Sequence, residues 1–292
     1  MSTIIVPGVD VVRSTFNFSV DKFPLSGPDG MKTPAYGLFR SDTGEFVGDP
    51  VTKKYVVHTT EDVATLTEAA LTAFEDSAVV TAHWRAGHHV MVAPSKDYRR
   101  SIFGTADNVF PRFLISAGYD GKSFRASLGF WRDACLNMSI LRQVSGTTVA
   151  IRHTRGLRDR MDELVGVFTQ LRDGWKTLGD VIAELESRTV SLRDFLTELI
   201  PLGNDPTPRQ ITEHKKLYSE IFNRIERERF QTGRPRMQQA DRYTVSRWEA
   251  YNAIQGNVQH NRNGRGNNSE FSQILYAADS PIVRKAEVLL LS

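Results

Sequence analysis

The sequence predicts an α+β protein: an antiparallel β-sheet of hairpins packed with a long helix and followed by a helical C-terminal region. Three observations point there. Alternating apolar runs separated by turn residues fill residues 78–130, the apolar spacing becomes helical after Gly156, and helical patterning broken by proline and glycine continues to the C-terminus. A chain of 292 residues, 40% of them apolar, is long enough for one large core or two modest ones.

Residues 1–33 hold many turn formers, Pro24 and Gly27-Pro-Asp-Gly30 among them, around one β-like run from Val11 to Val20, so an arm or edge strand is expected. Pro34 to Arg40 and Glu45 to Val47 flank Ser41-Asp-Thr-Gly44, which suits a hairpin turn. Thr60-Glu-Asp-Val63 offers a cap and first-turn acids, and Val63, Leu66, Ala70, Leu71 and Phe74 then recur at helical spacing. This predicts a helix of about four turns. Ala78 to Trp84 and His88 to Val92 read as an antiparallel pair around Arg85-Ala-Gly87.

A second hairpin is expected over 112–130, with Asp120-Gly121 as a two-residue type I′ turn. That turn sets Ala117 opposite Phe124, Ile115 opposite Ala126 and Phe113 opposite Leu128, an apolar face. The other face pairs Gly118 with Ser123, Ser116 with Arg125, Leu114 with Ser127 and Arg112 with Gly129, because successive side chains point to opposite sides of a strand. Thr147 to Arg152 is the expected last strand, and Leu157, Met161, Leu164, Val165, Phe168 and Leu171 make one helical stripe after it. Further helices are expected over 181–185, 191–199, 208–230, 244–260 and 281–291, with breaks at 201–208, 231–239 and 261–268. The pattern divides the chain into an N-terminal arm (1–33), an α+β core (34–190) and a helical region (191–292), and residues 161–292, balanced in charge and rich in helices, are expected to pack on the sheet or between subunits.

Composition narrows the function. The single Cys135 excludes an internal disulfide and a Cys-rich zinc site, which makes the cytoplasm the expected compartment. No window approaches the ~18 to 20 continuous apolar residues of a membrane span, so no membrane partner is expected. Charge is distributed unevenly. Residues 1–83 hold 6 Lys+Arg against 11 Asp+Glu, residues 84–160 hold 13 against 5, and residues 161–292 hold 18 of each. A concentrated positive potential of that kind attracts polyanions.

The tempting nucleotide and metal signals fail on spacing. Gly121-Lys122-Ser123 lacks the glycine of a phosphate loop five positions earlier, where Ser116 stands, and a strand rather than a helix follows it. His88 and His89 are adjacent on a strand and point to opposite faces, so they cannot chelate one ion together. The acids of the basic segment, Asp97, Asp107, Asp120, Asp133 and Asp159, show no acid-x-Lys signature, and no Gly-x-Ser-x-Gly elbow occurs. No catalytic residue, metal or cofactor is expected. Cations interleaved with aromatics instead fit single-strand binding, in which bases stack on π-faces and cations follow the backbone. The candidates before the hairpin are Arg85, Arg99 and Arg100. Those on it are Arg112, Tyr119, Lys122, Arg125 and Arg132, and those at the strand-to-helix junction are Arg152, His153, Arg155 and Arg158. A second cluster, Arg224, Arg227, Arg229, Arg234 and Arg236, is diluted by Glu226 and Glu228 and reads as a solvated helix face with i,i+3 and i,i+4 pairs.

Several segments together resemble a family of phage/plasmid-like proteins of unassigned function, carried on prophages, phages and conjugative plasmids. They are Tyr36-Gly-Leu-Phe-Arg-Ser-Asp-Thr-Gly44, Thr81-Ala-His-Trp-Arg-Ala-Gly-His88, Tyr119-Asp-Gly121, Ala134-Cys-Leu-Asn137, Ile151-Arg-His-Thr154, and Thr244 with Trp248, Asn252-Ala253 and His260. The chain departs from that family at Arg85-Ala-Gly-His-His89, where a Gly-Gly or Gly-Arg turn is usual. The order of helix, antiparallel sheet and long helix is similar to the core of single-strand annealing recombinases of the Rad-fifty-two and Redβ type. This resemblance implies a DNA recombination or repair protein of a phage or plasmid, acting in the bacterial host cytoplasm. It would bind and anneal single-stranded DNA without ATP, hold the duplex product, and form a homo-oligomeric ring or helical filament. The competing expectations are a non-annealing DNA-binding or regulatory protein of a mobile element, a metal-dependent nuclease, and a structural virion protein.

Overall fold

The computed structural model describes residues 8–74, 76–84, 86–119, 123–133, 137–141, 144, 147–237, 244–260 and 270–292. The protein is α+β, with antiparallel strands and a helical C-terminal region. The chain forms two compact units. The first takes residues 1–98, 111–129 and 146–174; the second takes 99–110, 130–145 and 175–292.

In the first unit the β-like run from Val11 splits. Residues Asp10–Thr15 form a short helix, α1, because Val12 and Phe16 lie one turn apart and are both buried, while Arg13 reaches Glu61 with Nε at 3.0 Å and Nη2 at 2.6 Å. The strands β1 (Val20–Ser26), β2 (Lys32–Arg40) and β3 (Val51–Thr52) make a small sheet, with Phe23 opposite Gly37 and Tyr36 opposite Val51. The expected arm is thus a helix and a paired strand. The tight turn at 41–44 is present as well: Gly44 N–H donates to the Arg40 carbonyl and Val47 N–H to that of Leu38. Helix α2 (Thr60–Ala73) starts at a capping box, with Thr59 Oγ1 accepting from Asp62 N–H and Asp62 accepting from Thr59 N–H.

The main sheet follows, with β4 (Ala78–Trp84), β5 (Gly87–Ala93), β6 (Arg100–Ser101), β7 (Asn108–Gly118), β8 (Phe124–Arg132), β9 (Asn137–Ser139) and β10 (Thr148–Ile151). Its order is β10-β8-β7-β5-β4; in the second unit β6 pairs with the start of β7 and β9 with the end of β8. The Asp120-Gly121-Lys122 turn lies outside the described residues, but β7 and β8 are neighbours. Phe113, Ile115, Ala117, Phe124, Ala126 and Leu128 are all buried, as the alternation predicts. Phe113 packs on Phe74 at the end of α2 and on Phe168 of α3 (Leu157–Ser187), with ring centroids 5.2 and 5.3 Å apart. The opposite face is less open than expected: Arg112, Ser116 and Arg125 are half-buried, and Leu114 and Ser127 are buried.

The second unit holds β11 (Thr189–Ser191), α4 (Leu192–Leu199), α5 (Pro208–Gln231), β12 (Thr244–Ser246), α6 (Arg247–His260), α7 (Glu270–Asp279) and α8 (Pro281–Leu291). Helix α6 is buried continuously from Trp248 to Gly256 and forms the centre of a core with Leu178, Phe195, Ile221, Ile225 and Val283. Three expectations are corrected here. The separate helix after Gly179 is the last part of α3, whose glycine admits Arg100 Nη1 to 3.0 Å from where a β-carbon would stand. Residues 244–246 are a strand paired with β11 rather than the start of a helix, and α7 falls where no helix was expected. Among the described residues no helix is long and apolar enough to cross a membrane.

Candidate nucleic-acid interface

The junction between β10 and α3 gathers exposed positive charge. Strand β10 ends the sheet order and pairs only with β8, with Ile151 opposite Phe124 and Ala150 opposite Arg125. Beyond it the side chains alternate between core and solvent. Ile151 and His153 are buried, whereas Arg152, Thr154 and Arg155 are exposed. His153 fixes this alternation: its ring stacks on Tyr55 at 4.8 Å, its Nδ1 lies 3.3 Å from the Val56 carbonyl, and its own carbonyl accepts from Val56 N–H at 3.0 Å. Gly156, at φ +85°, then turns the chain into α3, with Leu157 N–H donating to the Thr154 carbonyl.

Arg160 sits in the first turn of α3 and donates to Thr154 Oγ1 at 3.1 Å. Arg152 and Arg155 thus lead into the start of α3 and Arg160 lies in its first turn, where free N–H groups and the helix dipole add positive potential. Among the described residues none of the three forms an ion pair with an acid. By contrast, Arg13, Arg40, Arg132, Arg229 and Arg234 are engaged by carboxylates. Phosphate oxygens fit such a place. Arg160 was not a candidate from sequence: its relation to Arg155 depends on where the helix begins, and that is set by the turn at Gly156.

Other sequence candidates lie elsewhere. Arg132 is 4% exposed, with Nη2 2.7 Å from Asp107 and Nη1 bonded to Glu228, so it is an internal counter-ion and no DNA contact. Tyr119 is wholly buried, stacked on His58 at 4.2 Å and donating its hydroxyl to the His58 carbonyl at 2.9 Å. Burial and nearby negative charge push its ionisation up, so it remains a neutral donor. His153, buried against Tyr55, positions its neighbours rather than meeting DNA. Arg99 is exposed; Arg100 is half-buried with Nη2 4.0 Å from Glu186; Arg112 and Arg125 are half-buried, Arg112 donating to the Pro111 carbonyl. Arg85, Lys122 and the side chain of Arg158 lie outside the described residues. The second cluster is also corrected in part: Arg229 and Arg234 both bind Glu249 of α6, a long-range pairing in place of a ladder along one helix face.

The segments that carry the family resemblance converge in space on two buried clusters. In the first unit His58 Nε2 and His88 Nδ1 are 2.8 Å apart, and Trp84, Tyr119 and Phe18 pack around them. The Arg40 guanidinium lies 3.8 Å from the Phe18 ring centre and 5.1 Å from that of Trp84. Burial, with help from neighbouring histidines, holds His58 well below the usual histidine range; burial, His89 and Arg40 hold His88 down to about 3. Both rings are neutral at pH 7, so one N–H donates to the other ring's lone pair. A groove of about 660 Å³ runs over this cluster between Arg13, Phe18, Asp21, Thr60 and Glu61. The histidines beneath are almost fully enclosed and support the groove. In the second unit His260 Nε2 lies 2.7 Å from Asn137 Oδ1, Asn137 donates to the Asn252 carbonyl at 3.4 Å, and Trp248 packs on Phe130. Among the described residues no group of His, Cys, Asp or Glu is arranged to hold a metal ion.

A family model described as a domain of unknown function, DUF932, matches residues 49–281, and the chain belongs to that family. No curated protein and no solved structure matches it.

Proposed function

We propose that this member of the DUF932 family binds single-stranded DNA along the β10–α3 junction and anneals complementary strands without a nucleotide cofactor. The observation that carries the reading is the group of three exposed arginines, Arg152, Arg155 and Arg160, which pair with no acid among the described residues and follow or flank the anchored His153 at the start of α3. Cations on an exposed rim meet the phosphate backbone and leave bases facing outward, the arrangement that strand pairing needs. The +8 balance of residues 84–160 and the resemblance to proteins of phages and plasmids agree with it. The sheet has two ends, β4 and β10, at which copies of the chain can assemble side by side into a ring or filament.

Binding of a labelled oligonucleotide and annealing of complementary strands test this directly. Neutralising three phosphates gives a slope of log K against log salt of about −2, or roughly a 20-fold loss of affinity between about 50 and 200 mM salt. Each arginine replaced by alanine should flatten the slope by about 0.7. An Arg152→Ala, Arg155→Ala, Arg160→Ala variant that binds and anneals as the wild type does would refute the site. Tight duplex binding without faster pairing would point to a regulatory DNA-binding protein, and cleavage with Mg²⁺ that a chelator abolishes would point to a nuclease. Native mass with and without oligonucleotide reports the assembly.

A further inference from the structure

We infer that the second unit carries its own contact for single-stranded DNA: a base-stacking surface at the end of α5, built by Phe230 with Arg236 beside its ring and Arg227 one helical turn before it. The inference rests on the strand-binding reading above and extends it to residues that reading does not use. Helix α5 closes with two bonds, Arg234 N–H to the Arg229 carbonyl at 2.8 Å and Gly233 N–H to that of Phe230 at 3.3 Å, around Gly233 at φ +70°. This closure needs a left-handed residue at that position, and glycine supplies it without strain. The chain then returns beside the helix, where Met237 N–H donates to the Glu226 carboxylate at 2.9 Å.

The return segment carries two arginines over two phenylalanines. Arg236 is exposed, with its guanidinium 5.9 Å from the centre of the Phe230 ring. Arg227, one helical turn before Phe230 on the same side of α5, is also exposed, and among the described residues neither arginine has an acidic partner. Phe230 leaves 70% of its surface in water, although Ile221 and Ile225 of the same helix are buried. A single exposed phenylalanine is ordinary. One with a guanidinium beside its ring and a second exposed arginine one turn earlier offers a π-face for a base and cations for the neighbouring phosphates.

Phe103 supplies the independent observation. It sits at φ +51°, followed by Gly104 at +64°, in a turn closed by Thr105 N–H to the Ile102 carbonyl. Left-handed backbone suits glycine or asparagine at that position, and a bulky aromatic there is strained. The surroundings hold it: its N–H donates to the Glu186 carboxylate, and the Arg234 guanidinium lies 3.6 Å from its ring centre. Arg234 is in turn fixed by Glu249 at 2.6 Å. The strained turn therefore presents a half-buried aromatic ring to the same return segment that places Arg236 over Phe230.

The test uses the full chain and a dT30 oligonucleotide, with rU30 as the second arm. Phe230→Ala should weaken dT30 binding about 5- to 150-fold, the loss of one stacked base, while leaving the salt slope unchanged. Phe230→Trp should restore it, and Arg227→Ala with Arg236→Ala should flatten the slope instead. Unchanged affinity in Phe230→Ala, in a protein whose Arg152, Arg155 and Arg160 variant binds weakly, would overturn this inference and leave the strand-binding reading intact. A wild-type chain that fails to bind dT30 would overturn both, and binding to rU30 alone would overturn the assignment to DNA.

Discussion

Lowering the pH from 7.5 to 5 should destabilise the first unit through His88. The ring is 1% exposed, and burial, reinforced by His89 and Arg40, holds it at about 3 against an ordinary value of 6.5. Between those two values the unfolded chain binds a proton that the folded chain refuses. The stability contributed by neutral His88 is therefore fully present above pH 6.5 and is lost as the pH falls toward 3. At pH 5, about 1.5 pH units below the unfolded value, the loss is ~2 kcal/mol, and it reaches ~5 kcal/mol once the folded value is passed. Carboxylates titrate mostly below pH 5, so this window reports histidine, and His58, lowered in the same direction by burial, steepens it. Urea unfolding at pH 7.5 and 5, for the wild type and His88→Gln, measures the effect. The glutamine keeps a hydrogen-bonding group beside His58 and cannot titrate, so its pH-dependent loss should be smaller by about 2 kcal/mol. An equal loss in both proteins would refute the reasoning. His153, which anchors the junction segment, packs against His58 with ring centroids 5.1 Å apart, so on the strand-binding reading oligonucleotide affinity should weaken over the same range of pH.

Arg132→Ala leaves Asp107 and Glu228 buried without their shared cation, and breaking such a pair from one side should cost about 3 to 5 kcal/mol in chemical unfolding; a loss below 1 kcal/mol would show that water reaches the site. Gly87→Ala places a methyl group 2.4 Å from the Ala117 carbonyl oxygen on the neighbouring strand, so β5 and β7 must separate, and a destabilisation of about 1 to 3 kcal/mol is expected from thermal unfolding. An unchanged melting temperature would mean that the strand pairing there tolerates the shift.

Local chemistry made much of the fold readable. Thr59 and Thr60 before Val63 mark the start of α2, Ser191 and Thr207 cap the helices that follow them, and the alternation through Phe113, Ile115 and Ala117 identifies a half-buried strand. Period and capping depend on neighbours within one turn or one hairpin, so they appear in the sequence itself. Val11 to Val20 reads as extended because Val11, Val12, Thr15 and Val20 are β-branched and Phe16 and Phe18 add aromatic strand formers. Burial of Val12 and Phe16 together with the Arg13–Glu61 pair forms a helix there, and both depend on residues distant in sequence. The second arginine cluster shows the same division, since Glu249 lies beyond any spacing that an α5 ladder could use.

The sequence by itself determined the class of fold, the concentration of positive charge in residues 84–160 and the absence there of a nucleotide loop. It could not sort the arginines. Arg132 and Arg152 are the same residue type in the same basic segment, yet one is enclosed by Asp107 and Glu228 and the other stands in solvent. Only the tertiary structure made that distinction, because whether a guanidinium becomes an internal counter-ion or stays in solvent depends on which carboxylates long-range packing brings within about 4 Å of it.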